Sequence, residues 1–150
     1  MKRNKTWREK LEISKARRIV PIPPHMQRQW GEGKLLVPVP LDVDAAIRRI
    51  PEGRVMTTGE LRHELAHQFG ADTTCPMCTG MFLRIAAEAA EERGTDKTPY
   101  WRVVADDGKL NPKLPGGVNA QAAALRKEGH VVTSGDKPAV KYDRLPNRGR

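Results

Sequence analysis

The sequence of 150 residues lacks any apolar run long enough to span a bilayer, which excludes a membrane-spanning helix. No apolar stretch follows its basic first residues, so no secretory signal peptide is indicated and we expect a cytoplasmic protein. The two cysteines, Cys75 and Cys78, are too close in the chain to cross-link a fold, which argues against a secreted disulfide scaffold. There is no internal repeat, and the length fits one domain. We expect a monomer, and no cofactor is predicted.

The net charge of +9 is concentrated at the two ends of the chain. Residues 1–35 carry +7 and residues 136–150 carry +3, whereas the segment between them carries −1. Basic ends around a neutral centre suit an anionic polymer, because lysine and arginine placed on phosphates release condensed counterions. The same charge distribution is also typical of solvated tails, so charge alone leaves nucleic-acid binding open.

Three segments are predicted from composition. Residues 1–40 form a basic, proline-rich arm that contains a short helix within residues 6–18 and otherwise follows an extended, polyproline-II course. Residues 41–133 form the domain, and residues 134–150 form a basic strand or tail. The arm is expected to wrap the domain through four apolar side chains: Trp7, Ile19, Ile22 and Trp30.

Two helices are predicted at the start of the domain. The first begins near Asp42 and ends before Pro51. The second begins at Thr57, because Thr57 and Glu60 have the spacing of a capping box, and it ends at Gly70. Its apolar residues recur at every fourth position and define one buried face: Leu61, Leu65 and Phe69.

A third helix follows after a short turn. Thr74 or Cys75 is its predicted N-cap, Pro76 lies in its first turn, and Gly94 ends it. Two helices joined by such a turn are typical of a helix-turn-helix, although an ordinary helical hairpin has the same spacing. One face of the third helix is predicted to be apolar: Met77, Met81, Phe82, Ile85, Ala86 and Ala89.

The second half of the domain has shorter elements. A strand is predicted over residues 101–105 and a final helix over residues 119–128. Residues 131–132 and 139–142 are predicted to pair as a hairpin wing. The predicted fold class is therefore α+β and helix-rich, a winged helix-turn-helix with short strands and an extended arm.

The motifs of this domain, taken in order, are similar to a known family. Residues 53–61, residues 99–104, residues 107–110 and residues 115–117, followed by the closing helix, resemble the C-terminal domain of the alkylguanine DNA alkyltransferases, the methylated-DNA–protein-cysteine methyltransferases. The resemblance covers about residues 40–133. It implies a winged helix-turn-helix that binds the minor groove, flips an alkylated guanine and transfers the alkyl group to a cysteine.

The sequence departs from this family at the residues that carry the chemistry. Tyr100 stands where the resemblance places the acceptor cysteine, and Trp101 stands where it places the activating histidine. Transfer needs a thiolate and a neighbouring base, which a neutral phenol beside an indole does not provide. We therefore expect no enzymatic activity.

Two more positions bear on base flipping. Met77 replaces the family's intercalating arginine, and Thr58 replaces the tyrosine that helps to rotate the phosphate at the flipped base. An apolar side chain still enters a base step, but it does not replace the hydrogen bonds of an extruded base. Duplex DNA binding is therefore expected to survive better than base flipping, and we expect a link to DNA repair, with a repair protein as a further partner.

The candidate DNA-binding residues follow from the helix-turn-helix and from the resemblance. A threonine at a helix N-terminus offers phosphate a hydroxyl and an N–H group, but a plain cap is the simpler interpretation. For the arginine after the lost acceptor, the alternative is a structural tie between the strand and a helix. The candidates are Thr57, Thr58, Met77, Thr79, Arg84, Tyr100, Trp101 and Arg102.

Histidines and cysteines suggest a second kind of site. His63 and His67 belong to an H-E-x-x-H motif, but they lie opposite the predicted apolar face and no third ligand follows, so a zinc protease is a weak hypothesis. A structural zinc site that combines them with Cys75 and Cys78 remains an alternative.

A different alternative is a protein-interaction module on a retired DNA-binding fold. In that case Tyr100, Trp101 and the N-terminal arm would contact another protein.

Overall fold

The computed structural model describes residues 4–13 and 15–140 of the chain, which contain more helix than strand. Besides α-helices, these residues include short 3-10 helices at Pro24–Met26 and Tyr100–Arg102. None of the helices in the described ranges is both long and apolar enough to cross a membrane. The α-helices of the described residues are α1 (Trp7–Leu11), α2 (Gln27–Trp30), α3 (Pro40–Arg48), α4 (Thr58–Phe69), α5 (Pro76–Arg93) and α6 (Gly117–Lys127).

Short strands form two small sheets in the part of the chain that the structure describes. The strands are β1 (Arg18–Pro21), β2 (Lys34–Val37), β3 (Met56–Thr57), β4 (Thr73–Thr74) and β5 (Val103–Val104). In the first sheet the central strand pairs antiparallel with one neighbour and parallel with the other, in the order β1-β2-β4. In the second sheet β3 and β5 are parallel, with Met56 opposite Val103.

Two hydrophobic clusters form the core. The larger lies between α3, α4 and α5, where Val43, Leu61 and Leu83 are buried. The smaller lies beneath α6 and the wing, around Val104 and Leu125. Trp101 packs against both clusters, so the loop before β5 joins them.

The predicted helix-turn-helix corresponds to α4 and α5. Thr57 caps α4 by accepting a hydrogen bond from the Glu60 N–H, and the Glu60 carboxylate accepts the Thr57 N–H, which confirms the predicted capping box. Gly70 ends α4 in the left-handed conformation, with φ of 75°. Cys75 caps α5, and Pro76 begins it, as the sequence predicts.

The N-terminal segment differs from the extended arm that the sequence predicts. Its helix is confirmed but is confined to Trp7–Leu11, and residue 14 lies outside the described residues. Residues 18–37 do not follow a polyproline-II course. They form the β1–β2 hairpin, because the backbone groups of β2 pair with β1 on one side and with β4 in the helix-turn-helix turn on the other.

The apolar face predicted for α5 is partly wrong. Met77 and Met81 point outward and are 74% and 56% exposed. The buried strip consists of smaller residues, because α5 lies close to its neighbours and alanine allows that approach. The buried residues are Thr79, Leu83, Ala86, Ala87, Ala89 and Ala90.

The second half of the domain agrees broadly with its prediction. The segment predicted as a strand over residues 101–105 is a strand only at Val103–Val104, after the 3-10 turn. The closing helix is confirmed as α6, and it begins two residues earlier than predicted. The wing forms a bridge between Val132 and Val140, while residues 141–142 and the rest of the tail lie outside the described residues.

Candidate nucleic-acid interface

The N-terminal half of α5 presents an exposed strip with unusual chemistry. Met77, Met81 and Gly80 lie on it, and Met77 is the most exposed of the large apolar side chains in the described ranges. A Cβ atom added to Gly80 would meet no other atom within 4 Å, so internal packing does not require glycine there. Glycine inside a helix costs about 0.5–1 kcal/mol relative to alanine, which leaves this residue without a structural reason.

Arg84 lies on the same strip, one turn further along α5. Its guanidinium lies 5.6 Å from the centre of the Trp7 ring, and its Nε lies 3.9 Å from Glu88. The side chain is about half-exposed. It therefore remains accessible to a partner, although the N-terminal helix already restrains it.

Thr79 does not reach the exposed strip. It is 2% exposed, and its hydroxyl donates to the Cys75 carbonyl at 2.8 Å. The predicted role of Thr79 as a DNA contact is therefore wrong, because its position on α5 turns it into the core.

The N-terminus of α4 is already occupied by carboxylates. The Gly59 N–H donates to Asp106 Oδ1 at 2.8 Å, and the Thr58 hydroxyl lies 3.4 Å from the same oxygen. Thr57 is buried and its hydroxyl is used in the cap. The structure thus favours the cap interpretation for Thr57. Thr58 is the first residue of α4 and not its cap, and a phosphate contact by Thr58 would have to displace Asp106.

Tyr100 is buried rather than presented at the surface. It is 6% exposed, and its hydroxyl donates to the Glu91 carboxylate at 2.7 Å. Burial raises the pKa of the Tyr100 phenol, and the hydrogen bond to Glu91 adds to the effect, so the side chain is neutral. A buried, neutral phenol is a poor nucleophile. Its burial also leaves the protein-interaction alternative without one of its two aromatic contacts.

Trp101 and Arg102 converge on a single carboxylate. The Trp101 Nε1–H donates to Glu128 at 2.8 Å, and the Arg102 guanidinium forms a two-pronged ion pair with Glu128, with its Nη2 at 2.9 Å and its Nε at 3.0 Å. Arg102 also donates to the Ile50 carbonyl at 2.7 Å. Arg102 therefore ties the loop to the ends of α3 and α6, which agrees with the structural alternative for this arginine.

The Arg102–Glu128 ion pair is mostly shielded from water. The side chains are 12% and 10% exposed. Burial alone would raise the pKa of Glu128, but the hydrogen bonds from Arg102, Trp101 and the Gly53 N–H outweigh it and hold the pKa below its usual value. The carboxylate is therefore charged when the protein is folded.

The zinc alternative finds no support in the described ranges. His63 and His67 are exposed, and no three histidine, cysteine, aspartate or glutamate side chains there converge as metal ligands. Cys75 Sγ accepts the Cys78 N–H at 3.4 Å as the cap of α5. Burial, with a hydrogen bond to Cys75, raises the pKa of the Cys78 thiol to about 11, so this thiol is protonated at neutral pH.

Three residues that shape this region are not predicted from the sequence. Glu128 lies at the C-terminus of α6, where the helix dipole disfavours an acidic residue. Its presence there indicates that the carboxylate has a specific partner. Gly80 is a glycine inside a helical pattern, which is also visible in the sequence. Asp106 offered no signal, because its contact with α4 spans 47 residues.

Comparisons with known proteins identify the domain. Residues 39–130 match the family model described as 6-O-methylguanine DNA methyltransferase, DNA binding domain. No curated protein matches the sequence.

Two solved structures share the fold. One is S. pombe Atl1 in complex with damaged DNA containing O6-carboxymethylguanine, at 19% identity over 71% of this chain and 92% of that chain, with a TM-score of 0.50. The other is S. pombe ATL in complex with DNA, at 20% identity over the same shares, with a TM-score of 0.52. At these identities the likeness concerns the fold, and it agrees with the predicted helix-rich winged helix-turn-helix.

The Glu128→Gln substitution tests the buried ion pair. It leaves the Arg102 charge without its partner and should lower the free energy of unfolding by about 2–4 kcal/mol. Because the pKa of Glu128 is lowered in the fold, its contribution is present above the unfolded pKa of about 4.3 and is lost as pH falls through the folded value. Denaturant titrations between roughly pH 3 and pH 7 should therefore show that the unfolding free energies of the variant and the wild type converge at the acidic end.

The matched control is Glu52→Gln, which removes the same charge from an exposed residue. This variant should follow the wild-type stability curve. A Glu128→Gln curve that runs parallel to the wild type at every pH would contradict the assignment.

Proposed function

Because the chain belongs to the 6-O-methylguanine DNA methyltransferase DNA-binding-domain family, we propose that it binds duplex DNA as a non-catalytic, alkyltransferase-like protein. The observation that carries the proposal is the exposed strip of α5, formed by Met77, Gly80 and Met81. This strip belongs to the second helix of a helix-turn-helix, the element that enters a DNA groove in proteins of this type.

Each feature of the strip fits close contact with a groove. Gly80 allows the helix backbone to approach a partner, which gives the glycine the reason that internal packing does not. Met77 lies at the beginning of α5 and is long, flexible and apolar. Apolar side chains of this kind insert between base steps in proteins that bind the minor groove. Met77 is thus the proposed wedge.

The role that we propose for this binding is recognition of O6-alkylguanine lesions. The S. pombe relative of the same fold is bound to damaged DNA containing O6-carboxymethylguanine, which motivates the choice of lesion. A base with weakened pairing costs less to unstack, so an apolar wedge favours a lesion over an intact base pair.

Transfer of the alkyl group to the protein is not part of the proposal. Tyr100 stands where the resemblance places the acceptor, and its hydroxyl is held by Glu91 in a buried position. Trp101 stands beside it, and an indole N–H donates a hydrogen bond but accepts no proton. The carboxylate nearest to Trp101, Glu128, is already engaged by Arg102. The motif therefore has neither an activated nucleophile nor a base.

The Met77→Glu substitution tests the wedge. It places a negative charge against the DNA and should weaken duplex binding by roughly tenfold or more, measured by fluorescence anisotropy at a fixed salt concentration. Leu41→Glu is the matched control, because Leu41 is an exposed apolar residue on α3 outside the helix-turn-helix. Equal weakening by the two variants would show an effect of net charge and would count against the wedge.

Gly80→Ala separates binding from stability. The added methyl group meets nothing within the protein and should raise stability by about 0.5–1 kcal/mol, since alanine is the better helix former. The same methyl group would crowd the proposed contact and should weaken duplex binding by roughly tenfold. Thermal unfolding and anisotropy on the same samples give both values. A variant that is more stable and binds DNA as well as the wild type would rule out close approach at Gly80.

Damage recognition is tested by titrating plain and O6-methylguanine duplexes of the same sequence side by side. We expect tighter binding to the alkylated duplex. Intact-mass measurement after long incubation should show unmodified protein, because Tyr100 does not accept the methyl group. Equal affinity for both duplexes would remove the lesion from the proposal, and a protein heavier by one methyl group would overturn its non-catalytic part.

A further inference from the structure

A groove runs alongside α5, outside the exposed strip described above. The N-terminal segment forms one wall, and the chain from β2 into α3 forms the base, where Val37 and Pro40 lie. Phe82 and Ile85 of α5 close the other side. The groove has a volume of about 450 Å³ and is largely apolar inside.

The rim of this groove is basic. Among the described residues, four cationic side chains line it and no carboxylate does: Lys5, Lys10, Lys15 and Arg18. Lys10 lies over the Trp7 ring at 4.1 Å from its centre. In the part of the chain that the structure describes, none of the four forms an ion pair.

Other arginines of the same segment behave differently. Arg8 pairs with Glu12 at 3.4 Å, and Arg17 pairs with Asp42 at 2.8 Å, and neither arginine lines the groove. Carboxylates thus neutralise these two arginines, whereas the four cations on the rim have no carboxylate partner among the described residues.

The groove adjoins the proposed DNA-binding strip. On α5, Phe82 follows Met81 and Ile85 follows Arg84, so the groove wall and the exposed strip are neighbouring faces of one helix. Arg18 lies close enough to Cys78, in the first turn of α5, for its charge to act on that thiol. The rim therefore lies beside the strip that the proposed function places against a duplex.

Hydrogen bonds hold the backbone that carries the rim side chains. The Glu92 carboxylate of α5 accepts the N–H groups of Trp7 and Arg8 at 3.2 and 3.1 Å, which holds α1 against α5. Arg17 donates two hydrogen bonds to Asp42, and β1 pairs with β2 through the residues that follow. Side chains on such a frame lose less conformational freedom on binding than those on a disordered tail.

We propose that this groove holds the phosphodiester backbone of one DNA strand beside the nucleotides that α5 contacts. The inference rests on the proposed function and deepens it: residues 4–13 and 15–18, which precede the family match at residue 39, lengthen the DNA footprint on one side. The rim cations contact phosphates, and the apolar interior faces the deoxyriboses. Charge complementarity identifies the occupant, because a groove with four cations and no carboxylate suits a polyanion.

The test is the salt dependence of duplex binding by Lys5→Gln/Lys15→Gln/Arg18→Gln. Each phosphate contact contributes about 0.9 to the slope of log K against log salt concentration, so the variant should lose roughly 2–3 from the slope of the wild type. Hydroxyl-radical footprinting should show protection that is shortened on one side only. The fold should be unaffected, since none of these three side chains is ion-paired in the described ranges, and thermal unfolding checks this.

The matched control removes the same charge from exposed residues outside the groove, as Arg28→Gln/Lys113→Gln/Lys127→Gln. It should keep the wild-type footprint and lose less than about 1 from the slope.

Two results overturn the inference, and they differ in what they say about the proposed function. Equal slopes for the two triple variants, with an unchanged footprint, would reject the groove while DNA binding by the wild type stands. A wild-type protein that does not bind duplex at low salt would reject both.

Discussion

The buried ion pair between Arg102 and Glu128 is the interaction on which the rest of the domain depends. It joins the loop before β5 to the C-terminus of α6, and the Arg102 bond to the Ile50 carbonyl adds the end of α3. Trp101 donates to the same carboxylate and packs on both hydrophobic clusters. The loop that contains Tyr100 and Trp101 is therefore fixed by contacts that need neither a cysteine nor a histidine. Its position in the fold is thus independent of the transfer chemistry that the proposed function leaves out.

The helix α5 separates stability from recognition by its two faces. Its buried strip is rich in alanine, which lets α1 and α3 pack closely against it. Its exposed strip carries Met77 and Gly80, which contribute no core packing. Substitutions on the two faces therefore have different consequences: one face changes the free energy of unfolding, and the other changes what the helix can contact. Substitutions on the exposed strip can therefore change what α5 binds without changing how α5 packs in the core.

Local signals in the sequence predict the helices well, whereas contacts between distant segments leave no local signal in the sequence. The capping box at Thr57, the Cys75 cap and the left-handed Gly70 depend on residues within one turn, so they are visible in sequence. The pairing of β2 with β4 involves two residues of each strand, which is too short for a periodic pattern. The exposure of Met77 and the burial of Thr79 depend on how α5 is rotated against its neighbours, which the four-residue spacing of its apolar side chains does not decide. An exposed apolar residue, Met77, and a buried polar residue, Thr79, distinguish α5 from an ordinary core helix.

The proposed non-catalytic binding places a particular requirement on the surface of the protein. A non-catalytic binder has only its equilibrium affinity, which rests on the number and geometry of its contacts. The described residues before the family match, 4–13 and 15–38, carry much of the positive charge, and contacts with Glu92, Asp42 and β2 hold this segment beside α5. Their position makes that charge part of a shaped surface. The same charge on a free tail would attract DNA without orienting it, since long-range attraction does not set register and fixed phosphate contacts do.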